Sequence, residues 1–285
     1  MQLGAVFPQT EIGADPGGVR AYGEGVQELG FDHLMAYDHV LGADRAAHPG
    51  FSGPYDAESM FHEILVLFGY LAAVVPGLEL VSGIVIAPQR QTALLAKQAA
   101  EIDVLTGGKL RLGVGIGWND VEYEALGMNF RDRGRRLEEQ IELLRRLWTE
   151  PVVTFEGRWH RITAAGINPL PVQRPIPIWI GAYAEPAVRR ASRVADGWFP
   201  RLANTPPPQL AEVREWVREA GRDPDEFGID ARIDVAKGTP EDWRRAADEW
   251  REAGATHLTV AAMGAGLAGP DAHLERLREV KVALG

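Results

Sequence analysis

The strongest constraint on this chain is a rhythm in which short Val- and Ile-rich runs alternate with longer segments of helical period. The runs predict strands at Leu3–Phe7, His33–Tyr37, Leu78–Ile84, Leu110–Gly115, Ile176–Ile180, Gly197–Pro200, Gly228–Val235 and His257–Ala261. The segments between and after them predict helices at Gly17–Leu29, Ala57–Val74, Thr92–Leu105, Val121–Trp148, Glu185–Val194, Pro207–Ala220, Pro240–Ala253 and Asp271–Ala283. Eight βα units in 285 residues fit a closed parallel barrel better than an open sheet. The predicted fold is therefore α/β, a single-domain (β/α)8 TIM barrel over residues 1–285. Two stretches break the rhythm: Gly42–Asp56 after the second strand, and Val152–Leu170, a hairpin after the fourth helix turning at Glu156-Gly157. Long loops in a compact domain are usually functional, and both are expected at the end where a barrel keeps its active site.

Local signals agree with the rhythm. Thr239-Pro240-Glu241 reads as an N-cap, a first-turn proline and a favourable acid. Leu137, Ile141, Leu144 and Trp148 form one apolar stripe. Composition removes several function classes. The net charge of −10 argues against nucleic acid or an anionic membrane surface as partner. The absence of cysteine excludes thiolate catalysis and zinc–thiolate sites, and no two histidines share metal-binding i,i+4 spacing. Met1 runs straight into an apolar strand with no basic leader and no long apolar stretch, so a cytoplasmic protein is expected.

Four stretches carry candidate chemistry. Asp38-His39 ends the second strand, where side chains of a barrel face its mouth, and is the best acid/base pair; an aspartate capping the next loop beside a partly exposed histidine is the plainer alternative. Gly113-Val114-Gly115-Ile116-Gly117-Trp118 is no dinucleotide fingerprint, because the third glycine of that motif would fall on Trp118. Its glycines permit either a sharp turn or a ligand lying on the backbone. Ser82-Gly83-Ile84 puts a glycine inside a strand, the mark of a bulge or of close approach by a flat ligand. Gly181-Ala182-Tyr183 joins a strand to a helix start, where free N–H groups suit an anion or a tight corner.

Taken in order, Tyr37-Asp38-His39, Ser82-Gly83-Ile84 through Pro88, Leu105-Thr106-Gly107-Gly108-Lys109-Leu110, Gly113 to Trp118, Glu122 with Leu126-Gly127, Pro177 to Gly181 and Ala195-Asp196-Gly197-Trp198 form a pattern covering nearly the whole chain. This pattern resembles the bacterial luciferase-like family, and within it the actinobacterial coenzyme F420-dependent oxidoreductases. The resemblance implies a deazaflavin, or FMN in other members, lying across the C-terminal mouth of the barrel. It implies a bulge with a non-prolyl cis peptide at Gly83-Ile84, beside Ser82, pressing on one face of the ring. Asp38 and His39 then lie near the reactive edge, and Gly115, Ile116 and Gly117 against the ring and its ribityl chain. Trp118 and Trp179 are expected near the ring, and Gly181, Ala182 and Tyr183 at the phosphate corner, with Arg201 available to the cofactor. Sugar-phosphate dehydrogenases of this family have a glutamate where this chain has Trp118, which points to a more apolar pocket capped by the loop carrying His48, Phe51 and Tyr55.

The implied activity is hydride transfer between F420 and a small electron-poor organic molecule, with His39 moving the proton and Asp38 fixing its tautomer or contacting the ring. An FMN-dependent monooxygenase needing a partner reductase is the alternative, and a non-catalytic cofactor-binding barrel is a third possibility. The resemblance also implies a homodimer packed through early helices. Ile64–Val75 is either such a contact or a buried core helix.

Overall fold

A computed structural model describes residues 1–285. In chain order the elements are β1 (Gln2–Val6), α1 (Pro16–Glu28), β2 (His33–Ala36), α2 (Ile64–Val74), β3 (Glu79–Ser82), β4 (Val85–Ile86), α3 (Thr92–Leu105), β5 (Leu110–Gly115), α4 (Asp120–Ala125) and α5 (Arg133–Thr149). They continue with β6 (Val153–Glu156), β7 (Arg161–Ala165), β8 (Ile178–Gly181), α6 (Glu185–Val194), β9 (Gly197–Phe199), α7 (Leu210–Glu219), β10 (Gly228–Asp234), α8 (Pro240–Glu252), β11 (His257–Ala261) and α9 (Gly269–Leu284). All pairings except β6–β7 are parallel, in the order β3-β2-β1-β11-β10-β9-β8-β5-β4, and β3 also pairs with β5. That last pairing closes the sheet. Because β3 and β4 are two halves of one barrel strand, the result is an eight-stranded (β/α)8 barrel.

Side-chain alternation along the strands builds two cores. Leu34, Leu80, Leu112, Val114, Ile178, Ile180, Ile233 and Val260 point outward and pack on the helices in the main apolar cluster. Val6, Met35, Val81, Trp179, Phe199 and Ala261 point inward and fill the barrel. The barrel floor is polar. Arg111 donates to Asp230 at 2.9 Å and to Glu79 at 2.7 Å. Thr259 donates to the other Asp230 oxygen at 2.7 Å and lies 2.7 Å from His33 Nε2. Trp179 stacks under Arg111, with the guanidinium carbon 4.6 Å from a ring centroid, and meets His257 edge-on.

Several boundaries differ from the sequence expectation for identifiable reasons. The helix predicted over Val121–Trp148 is two helices, because Gly127 sits at φ +68 and ends α4, with Met128 N–H returning to Tyr123 O. The helix predicted from Ala57 begins at Ile64, where the Glu63 side chain caps Val66 N–H at 2.8 Å. The residues before it turn at Ala57–Ser59 and then run irregularly to the helix, with His62 N–H donated to the Gln9 side chain at 2.9 Å. The helix predicted from Pro207 starts at Leu210. The Val152–Leu170 hairpin forms, but it is rooted at the N-terminal end of the barrel, after α5, and climbs the outer wall. Its turn is latched by Glu139, which accepts N–H bonds from Arg158, Trp159 and His160, and by His160 Nε2 at 2.7 Å from Thr92 Oγ1. It is therefore a brace on α3 and α5 rather than a rim loop.

Candidate active site

The predicted bulge is present. Gly83–Ile84 is a cis peptide between β3 and β4, and the Ile84 side chain is left partly exposed. Its seat explains two of the glycines: a Cβ on Gly115 would come within 2.5 Å of Ile84 Cδ1, and one on Gly181 within 2.9 Å of Ile84 Cγ2. Gly117, at φ +62, likewise leaves room for Ile86. These glycines are small chiefly so that the bulge can lie across β5 and β8. Ile84 is the apolar knob facing the mouth. Ile116 lies alongside, its carbonyl held by the Tyr123 hydroxyl at 2.8 Å.

Ser82 is set behind the bulge, fully buried, with its hydroxyl donated to Gly113 O at 2.9 Å. The Ser82 hydroxyl is thus spent inside the barrel wall, and any contact of Ser82 with a cofactor would be through its backbone beside the bulge. The expected place of Trp179 is corrected: as the second residue of β8 it belongs to the floor beside Arg111 and His257, not to the mouth. Trp118, in contrast, is at the rim and 39% exposed.

His39 is enclosed by aromatic rings. Its ring centroid lies 5.1 Å from Phe61, 6.0 Å from Tyr55 and 6.2 Å from Trp118, the last nearly parallel at 22°. Nδ1 lies 3.3 Å from Glu122 Oε1, so Nε2 points away from the carboxylate, and it has no hydrogen-bond partner. Glu122 is fully buried in the first turn of α4, whose cap is Asn119. It accepts Val40 N–H at 2.6 Å, Leu41 N–H at 3.1 Å and Gln89 Nε2 at 2.9 Å. Burial works against its charge, but the bonds from His39, Gln89, Val40 and Leu41 outweigh it and hold the carboxyl below the usual range.

Asp38 does not orient His39. Its carboxylate accepts Ile86 N–H at 3.0 Å and Arg90 at 2.7 Å, and Arg90 also pairs with Glu63 at 2.9 Å. Burial raises the Asp38 carboxyl against the pull of Arg90. Asp38 thus fastens the end of β2 to the bulge and to the start of α2. The partner of His39 expected from adjacency is replaced by one reached through folding, Glu122. Glu122 stands in the run of residues that carries the family resemblance, but nothing in that run ties it to His39.

The loop Gly42–Asp56 is folded down on the mouth. Its ends meet where Ala57 N–H bonds to Ala43 O, and Arg45 holds it together by bonds to Asp56 and to Gly53 O. Gly53 presses on Trp118 so closely that a Cβ would fall 2.0 Å from the indole, and Phe51 packs on the same ring at 5.7 Å. Tyr55 reaches His39, and burial lifts its hydroxyl to about 12. His48 is exposed and takes no part.

At the β8–α6 corner, Ala182 N–H is already donated to Phe199 O, so the open donors are those of Tyr183 and Ala184. A cavity of about 290 Å³ adjoins them, lined by Tyr183, Trp198, Arg201, Thr205 and Gln209 among others. A larger groove of about 640 Å³ lies outside the barrel between α5 and the hairpin. Glu138 there is paired with Arg190 and Arg193, which makes it a solvated charged face.

The family described as luciferase-like monooxygenase matches residues 2–283, and the chain belongs to that family. It is 38% identical over 166 residues to an uncharacterised Mycobacterium tuberculosis protein, covering 57% of this chain and 56% of that one. It is 35% identical over 153 residues to an FMNH(2)-dependent dimethylsulfone monooxygenase of Pseudomonas putida, 52% of this chain and 42% of the other. It is 33% identical over 164 residues to an F420-dependent glucose-6-phosphate dehydrogenase of Nakamurella multipartita, 55% of this chain and 48% of the relative. These matches span about half the length of each relative. Among solved structures, the monooxygenase RslO1 of Streptomyces bottropensis superposes with TM-score 0.80 at 21% identity, covering 100% of this chain and 98% of that one. An F420-dependent secondary alcohol dehydrogenase superposes with TM-score 0.79 at 17% identity, covering 100% and 99%. At such identities the superpositions speak for the fold.

Proposed function

We propose that the protein is an oxidoreductase that transfers a hydride between coenzyme F420 and a small electron-poor organic molecule. The observation that carries this reading is the His39 ring, held through Nδ1 by the buried Glu122, with a buried and unpartnered Nε2 inside an aromatic box of Tyr55, Phe61 and Trp118. The residues present fit a flat ring with an anionic tail. Ile84 supplies an apolar shelf for one face, Gly117 and Ile116 its border, and the Tyr183 and Ala184 N–H groups with Arg201 a place for the phosphate. When bound, F420 supplies or accepts the hydride. The protein's share is to orient the substrate over the open face, exclude water with the Gly42–Asp56 loop, and give or take a proton at His39 Nε2. Trp118 and Phe51 make that pocket apolar, which disfavours a sugar phosphate.

A flavin monooxygenase is the second reading, supported by the 35% identity to the FMNH(2)-dependent enzyme. The two separate on oxygen, because a deazaflavin lacks the nitrogen at which flavin chemistry with O2 is set up. Turnover of reduced F420 with activated alkenes and imines is expected to proceed at the same rate with and without air. Turnover that appears only with FMNH2 and O2 would overturn the first reading in favour of the second.

We further place the protein in the cytoplasm as a homodimer; no helix is long and apolar enough to cross a membrane. Most of α2 is core, and the dimer surface is its outer face with that of α3, where Val66, Tyr70, Leu94 and Leu105 are exposed.

A further inference from the structure

Arg232 is the one cation at the centre of the barrel whose charge nothing in the fold answers. It lies on β10 one step above the floor, paired in register with Thr259, and points inward as Asp230 does. Its guanidinium donates to Pro200 O at 2.7 Å and lies 5.9 Å from the centroid of the Tyr37 ring, at the end of β2. No carboxylate is within ion-pair distance, and its Nε is buried without a partner. The flanking acids on β10 are spent elsewhere: Asp230 on Arg111 and Thr259, and Asp234 on Ala236 N–H at 2.8 Å. Leaving a guanidinium in a half-buried site with one carbonyl acceptor is costly unless a ligand completes it.

The sheet order says which ligand. The Ile84 shelf and the glycines that seat it occupy one contiguous arc, β4, β5 and β8. Arg232 belongs to the other arc, with β11, β1 and β2, and its field reaches both Tyr37 and Tyr55, opposing the rise that burial imposes on their hydroxyls. Tyr55 in turn packs against His39. Tyr55 therefore links the unanswered cation to the imidazole with the unpartnered nitrogen, and its ring joins them in one aromatic wall.

We infer that Arg232 is the anion-binding residue of the substrate pocket, and that the substrate is a flat, conjugated molecule bearing a carboxylate. The planar fork of a guanidinium matches a carboxylate in two parallel bonds, and the rings of Tyr37, Tyr55 and Trp118 receive the unsaturated body. Neutralising that carboxylate also makes the conjugated system a better hydride acceptor. This assignment deepens the oxidoreductase reading and rests on it.

The test is calorimetric titration of the protein, with and without F420, using trans-cinnamate and its neutral amide as probes. The wild type is expected to bind the carboxylate at least about tenfold more tightly than the amide. Arg232→Gln should erase that preference, Arg232→Lys should keep part of it, and both should bind F420 like the wild type. Equal binding of the two probes by the wild type, a preference surviving in Arg232→Gln, or binding of neither probe would overturn the assignment. Failure of F420 to bind while the carboxylate preference stands would instead strike the cofactor reading, so the two failures are distinguishable. Thermal unfolding of each variant, with Arg232→Lys as the conservative substitution, separates loss of recognition from loss of fold.

Discussion

Replacing His39 with alanine is expected to lower turnover by about 10²–10⁴-fold while cofactor affinity stays within about threefold of wild type. The size follows from the role. A proton delivered by a positioned imidazole is worth that much, and His39 is the group in the aromatic box with a free ring nitrogen. The Ile84 shelf and the phosphate corner do not depend on it, so binding of the ring should survive. The cavity left would be about the size of an imidazole and still backed by Glu122, so added imidazole should restore part of the rate. Glu122→Gln should cost about 10–100-fold, because the amide oxygen can still accept from Nδ1 but no longer brings the negative charge that supports a protonated imidazole. Steady-state kinetics on purified variants, with and without imidazole, settle the matter. A His39→Ala enzyme within about threefold of wild type would remove His39 from the chemistry.

The largest effect on stability is expected at the floor of the barrel. Arg111 is almost fully buried and bridges Asp230 on β10 to Glu79 on β3, across the inside of the sheet. Removing it as Arg111→Met leaves Asp230 buried without its cation, and breaking a buried pair in this way costs about 3–5 kcal/mol. For a chain of this size that corresponds to a Tm lower by roughly 5–8 °C. The pH dependence has a definite sign. Burial alone would raise the Asp230 carboxyl, but hydrogen bonding from His33 and the charges of His33 and Arg111 pull it well below the ordinary range. His257 is pushed down to about 3 by burial and then by Arg111. Both groups have folded-state values below their unfolded ones, but they act in different windows: the Asp230 contribution stays full down to about pH 4 and is lost below it, whereas buried, neutral His257 penalises the folded state increasingly from about pH 6.5 downward. Calorimetric or fluorescence melts should show wild-type Tm falling below that pH. An Arg111→Met protein melting within about 2 °C of wild type at neutral pH would contradict the assigned weight of the network.

Local features of this fold are legible in the sequence, and features that depend on distant residues are not. The βα rhythm, the stripe Leu137–Ile141–Leu144–Trp148 and the Thr239 cap are written in neighbouring residues, and all appear where expected. The split between α4 and α5 was missed because Gly127 inside an otherwise helical pattern looks like any tolerated glycine until its positive φ is seen. At the site, the bulge and its glycines were visible, yet their reason was not: Gly115 and Gly181 make room for Ile84, a contact between three strands. Non-local pairings were the main loss. Asp38 stands next to His39 in sequence, which invited a partnership, whereas folding gives Asp38 to Arg90 and gives His39 to Glu122. Arg232 was equally hidden, since an arginine in a strand reveals nothing until the absence of a carboxylate around it is known.

The central claim is that the mouth of this barrel holds a deazaflavin, and the most direct measurement is titration of the purified protein with coenzyme F420 and, separately, with FMN. Tryptophan emission reports it, because Trp118 at the rim should be quenched by a ring lying on Ile84 while Trp179, down on the floor, should respond far less. Tight, saturable quenching by F420, lost in Trp118→Phe and much weaker with FMN, is the predicted result. Strong quenching by FMN with F420 silent would move the enzyme to flavin chemistry, and quenching by neither would contradict the assignment of the site.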